Sequence, residues 1–392
     1  MAPLRIDMID SLEDFHALAG AWGDLVARCT RPSIFLTHEW YECWWAAFGA
    51  RHRPAVLCAW EGDVLVGAAA MAKDTVQFRG MPVRRLAYPV NGVTGEAGFL
   101  ITPDRRDVFD ALLAYMARKL RWDLLELRRM PCHWPLLPWL LEGAARLGLK
   151  LATRADNQVP IIPIAGDWDR FLDGRSKSFR KTIRRRLGRI EEHSEPVRVV
   201  RLRGPEEITA ALPTMFEISS HSWKAELHQA LSDQPRAREF YRLLSRRLGA
   251  LGRVGLWFVY IGGAPAAFEY HLRFAGITYP IRADFDLRFA DLSPGAHLEY
   301  EVLRELHQDP AHEITEYNTC ADGYAYERKW TDEVRPQCRA WLFKPTLYGR
   351  LLHLLSRARR RHPSRPAPWA SCCRLPCLRA TAALQDERAL KE

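Results

Sequence analysis

The sequence predicts a mixed α/β fold, its helices packed on a sheet of α+β character, with one structural plan used twice in tandem and a basic tail at the end. Three observations carry this. Residues 54–72 (PAVLCAWEGDVLVGAAAMA) and 254–272 (VGLWFVYIGGAPAAFEYHL) share one pattern: an apolar strand, a glycine turn, then a strand that opens with small residues. Each hairpin is preceded by segments with apolar residues at helical spacing. Beyond Lys344 the composition shifts to arginine, proline and alanine.

In chain order, residues 10–29 show helical periodicity after an Asp/Ser cap, and Thr37 starts a second helix, HEWYECWWAAFGA. Trp40, Trp44 and Trp45 on that helix read as core rather than as a ligand cage. Strands follow at 54–60 and 64–73, with further strands near 76–78 and 84–88. The segment then alternates helix (104–120), strand (122–127), helix (134–147) and strand (149–154). Residues 175–189 (RSKSFRKTIRRRLGR) form a helix in which Phe179, Ile183, Leu187 and Ile190 make a narrow apolar stripe and the rest is basic. Helices at 205–225 and 235–250 lead into the second hairpin.

At 392 residues and 48% apolar content, two domains and a tail are expected. The N-terminus carries acids where a signal peptide needs a basic start, and the longest apolar run, 64–72, is far short of a membrane span. A cytoplasmic location follows, with peripheral contact at the inner membrane face as a further expectation. Of nine cysteines, none has paired zinc spacing, and Cys372, Cys373 and Cys377 cluster in the tail without a matching His pair, so no metal is expected. The net charge of +10 is concentrated: residues 175–189 hold eight Lys or Arg and 344–385 hold nine, neither with an acid, which leaves the remainder net acidic. Polyanion or membrane affinity therefore belongs to these two segments. Residues 346–361 read as an amphipathic basic helix suited to an anionic membrane face. After Pro363 the pattern reads as disorder.

The chemistry-bearing stretch is 265–307. Two strands meet at Ala275-Gly276, and simple hairpin register sets Arg273 opposite Thr278, His271 opposite Pro280 and Glu269 opposite Arg282. Glu269, His271 and Arg273 share one face; Phe268, Tyr270, Leu272 and Phe274 share the other, which is core. The polar face is either a wetted surface with a Glu269–Arg282 cross-strand pair or the seat of a general base. Asp284 and Asp286 end the next strand and either join the chemistry or cap the following loop. Ser293-Pro294-Gly295 opens a helix: Ser293 as N-cap, Pro294 at the first helical position, and Gly295 open to close approach, a start suited to holding phosphate.

The spacing F-D-x-x-x-x-x-x-S-P-G-x-x-L, present as Phe285-Asp286, Ser293-Pro294-Gly295 and Leu298, resembles the CelD/BcsL-like branch of the GNAT acyltransferase superfamily, related to the FemABX enzymes. Ser176-Lys177-Ser178-Phe179-Arg180-Lys181 looks like that family's linker helix, Trp40 with Trp44 like its early helix, and Asp322-Gly323-Tyr324 with Tyr326 and Trp330 like its late segment. Glu327 stands where the family typically has Lys, with Lys329 as a substitute. The glycine-rich pyrophosphate loop of simple GNAT enzymes is absent.

The resemblance implies tandem GNAT-like acyl-CoA N-acyltransferase domains over 1–165 and 196–343, joined by a basic linker at 166–195, with a tail at 344–392. It implies acetyl-CoA or another acyl-CoA bound by the second domain through Ser293, Pro294, Gly295 and Ala296. Glu269 or His271 would be the base, Tyr324 an acid toward the leaving thiolate, and Arg282, Asp286 and Asp322 substrate contacts. The acceptor would be an amine or hydroxyl of a cell-envelope or polysaccharide precursor, a small molecule or saccharide. Two alternatives stand beside it: a FemABX-like peptidyltransferase dependent on aminoacyl-tRNA, whose basic helix would hold RNA phosphates, and a non-catalytic membrane-associated scaffold of an envelope-synthesis complex.

Overall fold

The computed structural model describes residues 3–29, 31–320 and 326–357. The first half begins with strand β1 (Leu4–Ile9), helices α1 (Leu12–Ala17) and α2 (Ala19–Arg28), and helix α3 (His38–Phe48). The single helix expected over 10–29 is divided at Leu18. The break brings Phe15 and Trp22 together edge to face at 5.4 Å, and the Trp22 indole N–H donates to the Leu36 carbonyl at 2.9 Å. Thr37 caps α3 by accepting from the Trp40 N–H, and Trp40, Trp44 and Trp45 are all buried, as core residues should be.

Strands β2 (Arg53–Pro54), β3 (Val56–Glu61), β4 (Val64–Ala69), β5 (Ala72–Phe78), β6 (Met81–Ala87) and β7 (Leu100–Ile101) follow, then helix α4 (Arg106–Lys119), strand β8 (Leu124–Pro131), helix α5 (Leu136–Arg146) and the long strand β9 (Lys150–Pro163). The stretch 64–73, expected as one strand, serves two sheets: β4 pairs with β3 and β5 with β6. Short helix α6 (Trp168–Asp173) leads to the basic helix α7 (Lys177–Glu191), where Ser176 caps the Phe179 N–H and Phe179, Ile183 and Ile190 are buried as the stripe predicted.

The second half contains β10 (Val197–Leu202), α8 (Pro205–Ser220), α9 (Trp223–Glu226), α10 (Pro235–Arg247), β11 (Val254–Ile261), β12 (Ala264–Phe274), β13 (Ile277–Phe285), α11 (Pro294–Gln308) and β14 (Glu316–Asn318). The helix expected over 205–225 ends at Ser220, and Ser222 caps α9 as a separate turn. Strand β15 (Val334–Phe343) and helix α12 (Leu347–Arg357) close the described chain.

Two sheets result. One has four strands in the order β1-β3-β4-β7; the other has eleven in the order β10-β11-β12-β13-β14-β9-β15-β8-β6-β5-β2, with parallel pairs only at β13–β14 and β6–β8. Strand β9 joins the halves, its end pairing with β14 and its body with β15. Although β15 was expected to complete the second domain, it crosses back and inserts between β8 and β9.

The duplication is visible in the register itself. Ala59 faces Gly67 and Trp60 faces Leu65 across a bulge in the first hairpin; Val259 faces Ala267 and Tyr260 faces Pro265 across the same bulge in the second. Outer strands β1 and β10 pair with β3 and β11 in matching positions. The two hairpins thus superpose residue for residue, with Ala69 and Met71 in the places of Glu269 and His271.

Candidate active site

Strands β12 and β13 pair as the hairpin register predicts from Phe274↔Ile277 to His271↔Pro280, then slip by one residue so that Tyr270 faces Arg282 and Glu269 faces Ala283. The cause is Pro280, which has no N–H for the ladder, so the strand bulges just past it. The expected Glu269–Arg282 pair is therefore corrected. Arg282 turns to the opposite face, where its guanidinium donates to Asp284 (2.8 Å), to Ser219 Oγ (3.2 Å) and to the Gln229 carbonyl (3.0 Å). Asp284 also accepts from Ser219 and pairs with Lys224, whose burial lowers its affinity for a proton. This network ties β13 to α8 and α9.

The face that carries Glu269 and His271 is not wetted. Glu269 is 4% exposed and His271 1%, covered by α11 through Leu298 and Val302 together with Trp257 and Tyr317. His271 Nε2 lies 2.7 Å from Glu269 Oε2, and its Nδ1 lies 3.2 Å from Thr278 Oγ1. An imidazole that donates from Nε2 to Glu269 and accepts at Nδ1 from the Thr278 hydroxyl satisfies both contacts. The Tyr317 hydroxyl donates to the same Glu269 oxygen at 3.3 Å. Both bonds fall on Oε2, so Oε1 is the oxygen left for other partners.

Two more carboxyls converge here. Glu299, on the first turns of α11, is 7% exposed; burial, then the nearby charge of Glu269, pushes its pKa up to about 8. The charge of Glu327 pushes it the same way, a hydrogen bond with Trp330 and the charge of Arg186 on α7 oppose it, and the balance favours the protonated carboxyl near neutral pH. Glu327 is buried as well and accepts from the Tyr326 hydroxyl at 3.4 Å. Where the family resemblance led to an expected lysine, the chain buries an acid, and Lys329 is exposed. Sequence reading missed Glu299, although a signal was present. On a helical wheel it falls inside the apolar arc of Leu298, Val302, Leu303 and Leu306, where a carboxyl needs a reason to be.

The far end of the site is the start of α11. Pro294 takes the first helical position and Ser293 the N-cap position as expected, but the backbone of Ser293 is left-handed (φ 55°, ψ 50°) and its hydroxyl makes no capping bond. A non-glycine residue held there costs on the order of 1–2 kcal/mol, and such positions gather at functional turns. The Ala296 and His297 N–H groups donate back to the Ser293 carbonyl at 3.1 and 3.2 Å, so the cradle expected from Gly295 and Ala296 narrows to the Gly295 N–H, which has no partner among the described residues. A Cβ built on Gly295 would meet nothing nearer than Phe285 at 3.6 Å, so no internal neighbour demands glycine. Arg189 of α7 donates to the Asp291 carbonyl in the loop just before this turn, which sets a cation beside it. One turn into the helix, His297 Nδ1 is buried without a partner among the described residues, and burial lowers the pKa of the ring to about 4.

Between these ends runs a split in the sheet. Among the described residues strand β13 pairs with β14 only at Ile277↔Glu316 and Thr278↔Tyr317; β14 pairs with β9 on its other side along its whole length, while β13 runs on to Phe285. The opening begins beside Tyr317 and Glu269 and ends at Phe285, next to Gly295. Of the other expected site residues, Asp286 acts as a cap: its buried carboxylate accepts from the Arg288 N–H and pairs with the Arg288 guanidinium and His221, which hold its pKa low against the effect of burial. Asp322, Gly323 and Tyr324 lie outside the described residues, as do Cys372, Cys373, Cys377 and the tail beyond Arg357.

Residues 177–328 match the family model described as acetyltransferase (GNAT) domain. No curated protein matches the chain. Among solved structures the chain is similar to FemX (12% identity, TM-score 0.59, 89% of this chain and 99% of that one). It is similar to the C-terminal domain of a putative lysylphosphatidylglycerol synthetase from Agrobacterium fabrum (12%, 0.52, 87% and 96%). It is also similar to a tandem GNAT protein from the clavulanic acid biosynthesis pathway (16%, 0.50, 88% and 100%). The chain has a mixed α/β fold of the tandem GNAT type, and the part of it from 177 to 328 is similar to a GNAT acetyltransferase domain.

Proposed function

We propose that the second half transfers an acyl group, acetyl first among candidates, from acyl-CoA to the amine of a cell-envelope or polysaccharide precursor, in the manner of the CelD/BcsL-like enzymes the sequence resembles. The observation that carries this reading is the buried group of Glu269, His271, Glu299 and Glu327 at one end of the β13–β14 split, with the free Gly295 N–H at the other. The gathering of the acidic side chains Glu269, Glu299 and Glu327 at this end favours a cationic amine over a neutral hydroxyl.

The residues fit an acyl-CoA at the level of a cradle. Gly295 offers an unpaired N–H and open space, and Arg189 stands beside the turn to meet negative charge. When bound, that cosubstrate supplies an activated acyl thioester. Glu269 is the base, because both His271 nitrogens are already engaged while Oε1 of Glu269 is open to the incoming amine. His271 and Tyr317 orient the carboxylate from its other oxygen. Glu299 sets the charge of the pocket: protonated, it spares Glu269 a second anion nearby. The proton for the departing sulfur comes from a phenol, Tyr324 or the neighbouring Tyr326.

Thiol release from acetyl-CoA, followed with panels of primary amines and of alcohols, tests this. Amine-dependent release is expected. No release with either panel, together with no heat of acetyl-CoA binding, would sink the proposal.

A second reading, transfer from aminoacyl-tRNA as in the FemABX enzymes, is favoured by one feature. Lys177, Lys181, Arg184 and Arg185 lie exposed on α7, and none has an ion-pair partner among the described residues. Filter binding of tRNA across a salt series separates the two: the tRNA reading requires affinity that falls steeply as salt rises.

A further inference from the structure

Helix α12 has two apolar faces on opposite sides, and only one is used. Gly349, Leu352 and Ser356 face inward, with Leu352 packed among Val83, Leu124, Trp341 and Phe343. Directly opposite, Leu347, Leu351 and Leu354 follow the i, i+4, i+7 spacing of one ridge and are 86%, 43% and 65% exposed. The helix is held firmly in that orientation. The Tyr348 hydroxyl donates to the Pro82 carbonyl (2.5 Å), Arg154 donates to the Ser356 carbonyl (2.7 Å), and a His353 ring nitrogen meets the Leu151 carbonyl at 3.2 Å. Turning the ridge inward would break all three.

We propose that α12 lays this leucine ridge on an anionic lipid surface, docking the protein where the helix packs on β9 and β15. Charge decides for lipid over another apolar partner. Arg350 and Arg357 are exposed along one flank of the ridge, and residues 344–385 contain no acid at all. Arg357 and Lys150 are close enough to depress the proton affinity of His353, as Arg79 and Arg339 do for Arg154, so the surroundings are cationic too. Two acids near this surface, Asp156 and Glu126, are already paired with Arg339 and Arg85, each at 2.7 Å. An apolar ridge bordered by unpaired arginines is the pattern of a helix lying in the headgroup region. Eleven residues make a helix of about 16 Å, which lies on a bilayer and does not cross it. Among the described residues no helix is long and apolar enough to span.

This inference is independent of the acyl-transfer reading, since α12 packs on β9 and β15 and not over the β13–β14 split. The test uses the full chain, sedimented with vesicles of phosphatidylcholine alone or mixed with phosphatidylglycerol. Binding is expected only with the anionic vesicles and should weaken with salt. Leu347→Asp/Leu351→Asp/Leu354→Asp should lower it by at least about tenfold, and Arg350→Glu and Arg357→Glu by roughly fivefold each. All variants should keep the wild-type melting temperature, because the substituted side chains are exposed. Equal binding to both vesicle types, no binding, or full binding by the leucine variant would overturn the proposal. So would a ridge that a second copy covers, seen as a wild-type dimer that the leucine variant dissolves while neither binds vesicles.

Discussion

The hairpin β3–β4 of the first half and the hairpin β11–β12 of the second share strand order, glycine turn and bulge, yet they aim different chemistry at the helix that follows. Ala69 and Met71 of the first copy are fully buried in an apolar core. Their counterparts Glu269 and His271 are equally buried but hydrogen-bonded to each other, to Thr278 and to Tyr317. The helix starts differ as well. At α4, Arg105 is locked between Glu61 and Asp107, so an acid already occupies the first turn. At α11 the first turn holds no acid and leaves the Gly295 N–H without a partner among the described residues. One scaffold thus serves as core in one copy and, in the proposed function, as reaction site in the other, and a few side chains separate the two.

Giving the second copy the residue of the first is the strongest way to break this contrast. Glu269→Ala should lower kcat by about 10²–10⁴-fold, the range of a lost general base, with KM for the acyl donor little changed. Steady-state thiol release measures it, and a variant within tenfold of wild type would remove Glu269 from the chemistry. The reciprocal lesion, Met71→Ala, should cost about 2–5 kcal/mol in a denaturant melt, as large-to-small core changes do, and leave kcat per folded molecule unaltered.

Glu299→Gln sharpens the contrast through pH. A carboxyl held at about 8 in the folded chain against an ordinary 4.5 keeps its proton while the unfolded chain loses one. Its favourable contribution is complete below pH 4.5 and declines as pH rises toward 8. Glu299→Gln removes that decline, so the variant should gain on wild type between pH 5 and pH 8 by up to a few kcal/mol, at about 1.4 kcal/mol per pH unit. Melting curves at the two ends of the range read it directly; parallel losses in both proteins would mean Glu299 titrates normally. The smallest effect belongs to Thr278→Val, which removes the partner of His271 Nδ1 and should reduce kcat by about tenfold or less without moving the melting temperature. Rescue by Thr278→Ser would assign the loss to the hydroxyl.

Much of this was legible in the sequence, for physical reasons that can be named. The repeat was visible because each hairpin pairs a glycine turn with apolar strands, and α7 because Phe179, Ile183 and Ile190 keep helical period against a basic background. The start of α11 was visible in Ser293-Pro294-Gly295. What escaped reading were events set by a single backbone atom or by tertiary packing. The missing N–H of Pro280 shifts the register and sends Arg282 to Asp284 on the far face. Ser293 looks like a cap by residue type, but the tight turn from the preceding loop puts it in the left-handed region. Glu299 and Glu327 lie 30 residues and more from Glu269 along the chain, and nothing local announces that α11 and the turn at Glu327 bring them to it. The return of β15 to the first half is a topological choice that local pattern does not encode.

The central claim is that the second copy alone holds the acyl donor. A calorimetric titration of acetyl-CoA into the full-length protein tests it most directly, alongside Gly295→Asp at the start of α11 and Arg106→Asp at the matching start of α4. The account predicts one site per chain, weakened by at least about tenfold in Gly295→Asp, where a carboxylate repels phosphate at the helix start, and unchanged in Arg106→Asp. Two sites per chain, or a single site lost in Arg106→Asp and kept in Gly295→Asp, would contradict it.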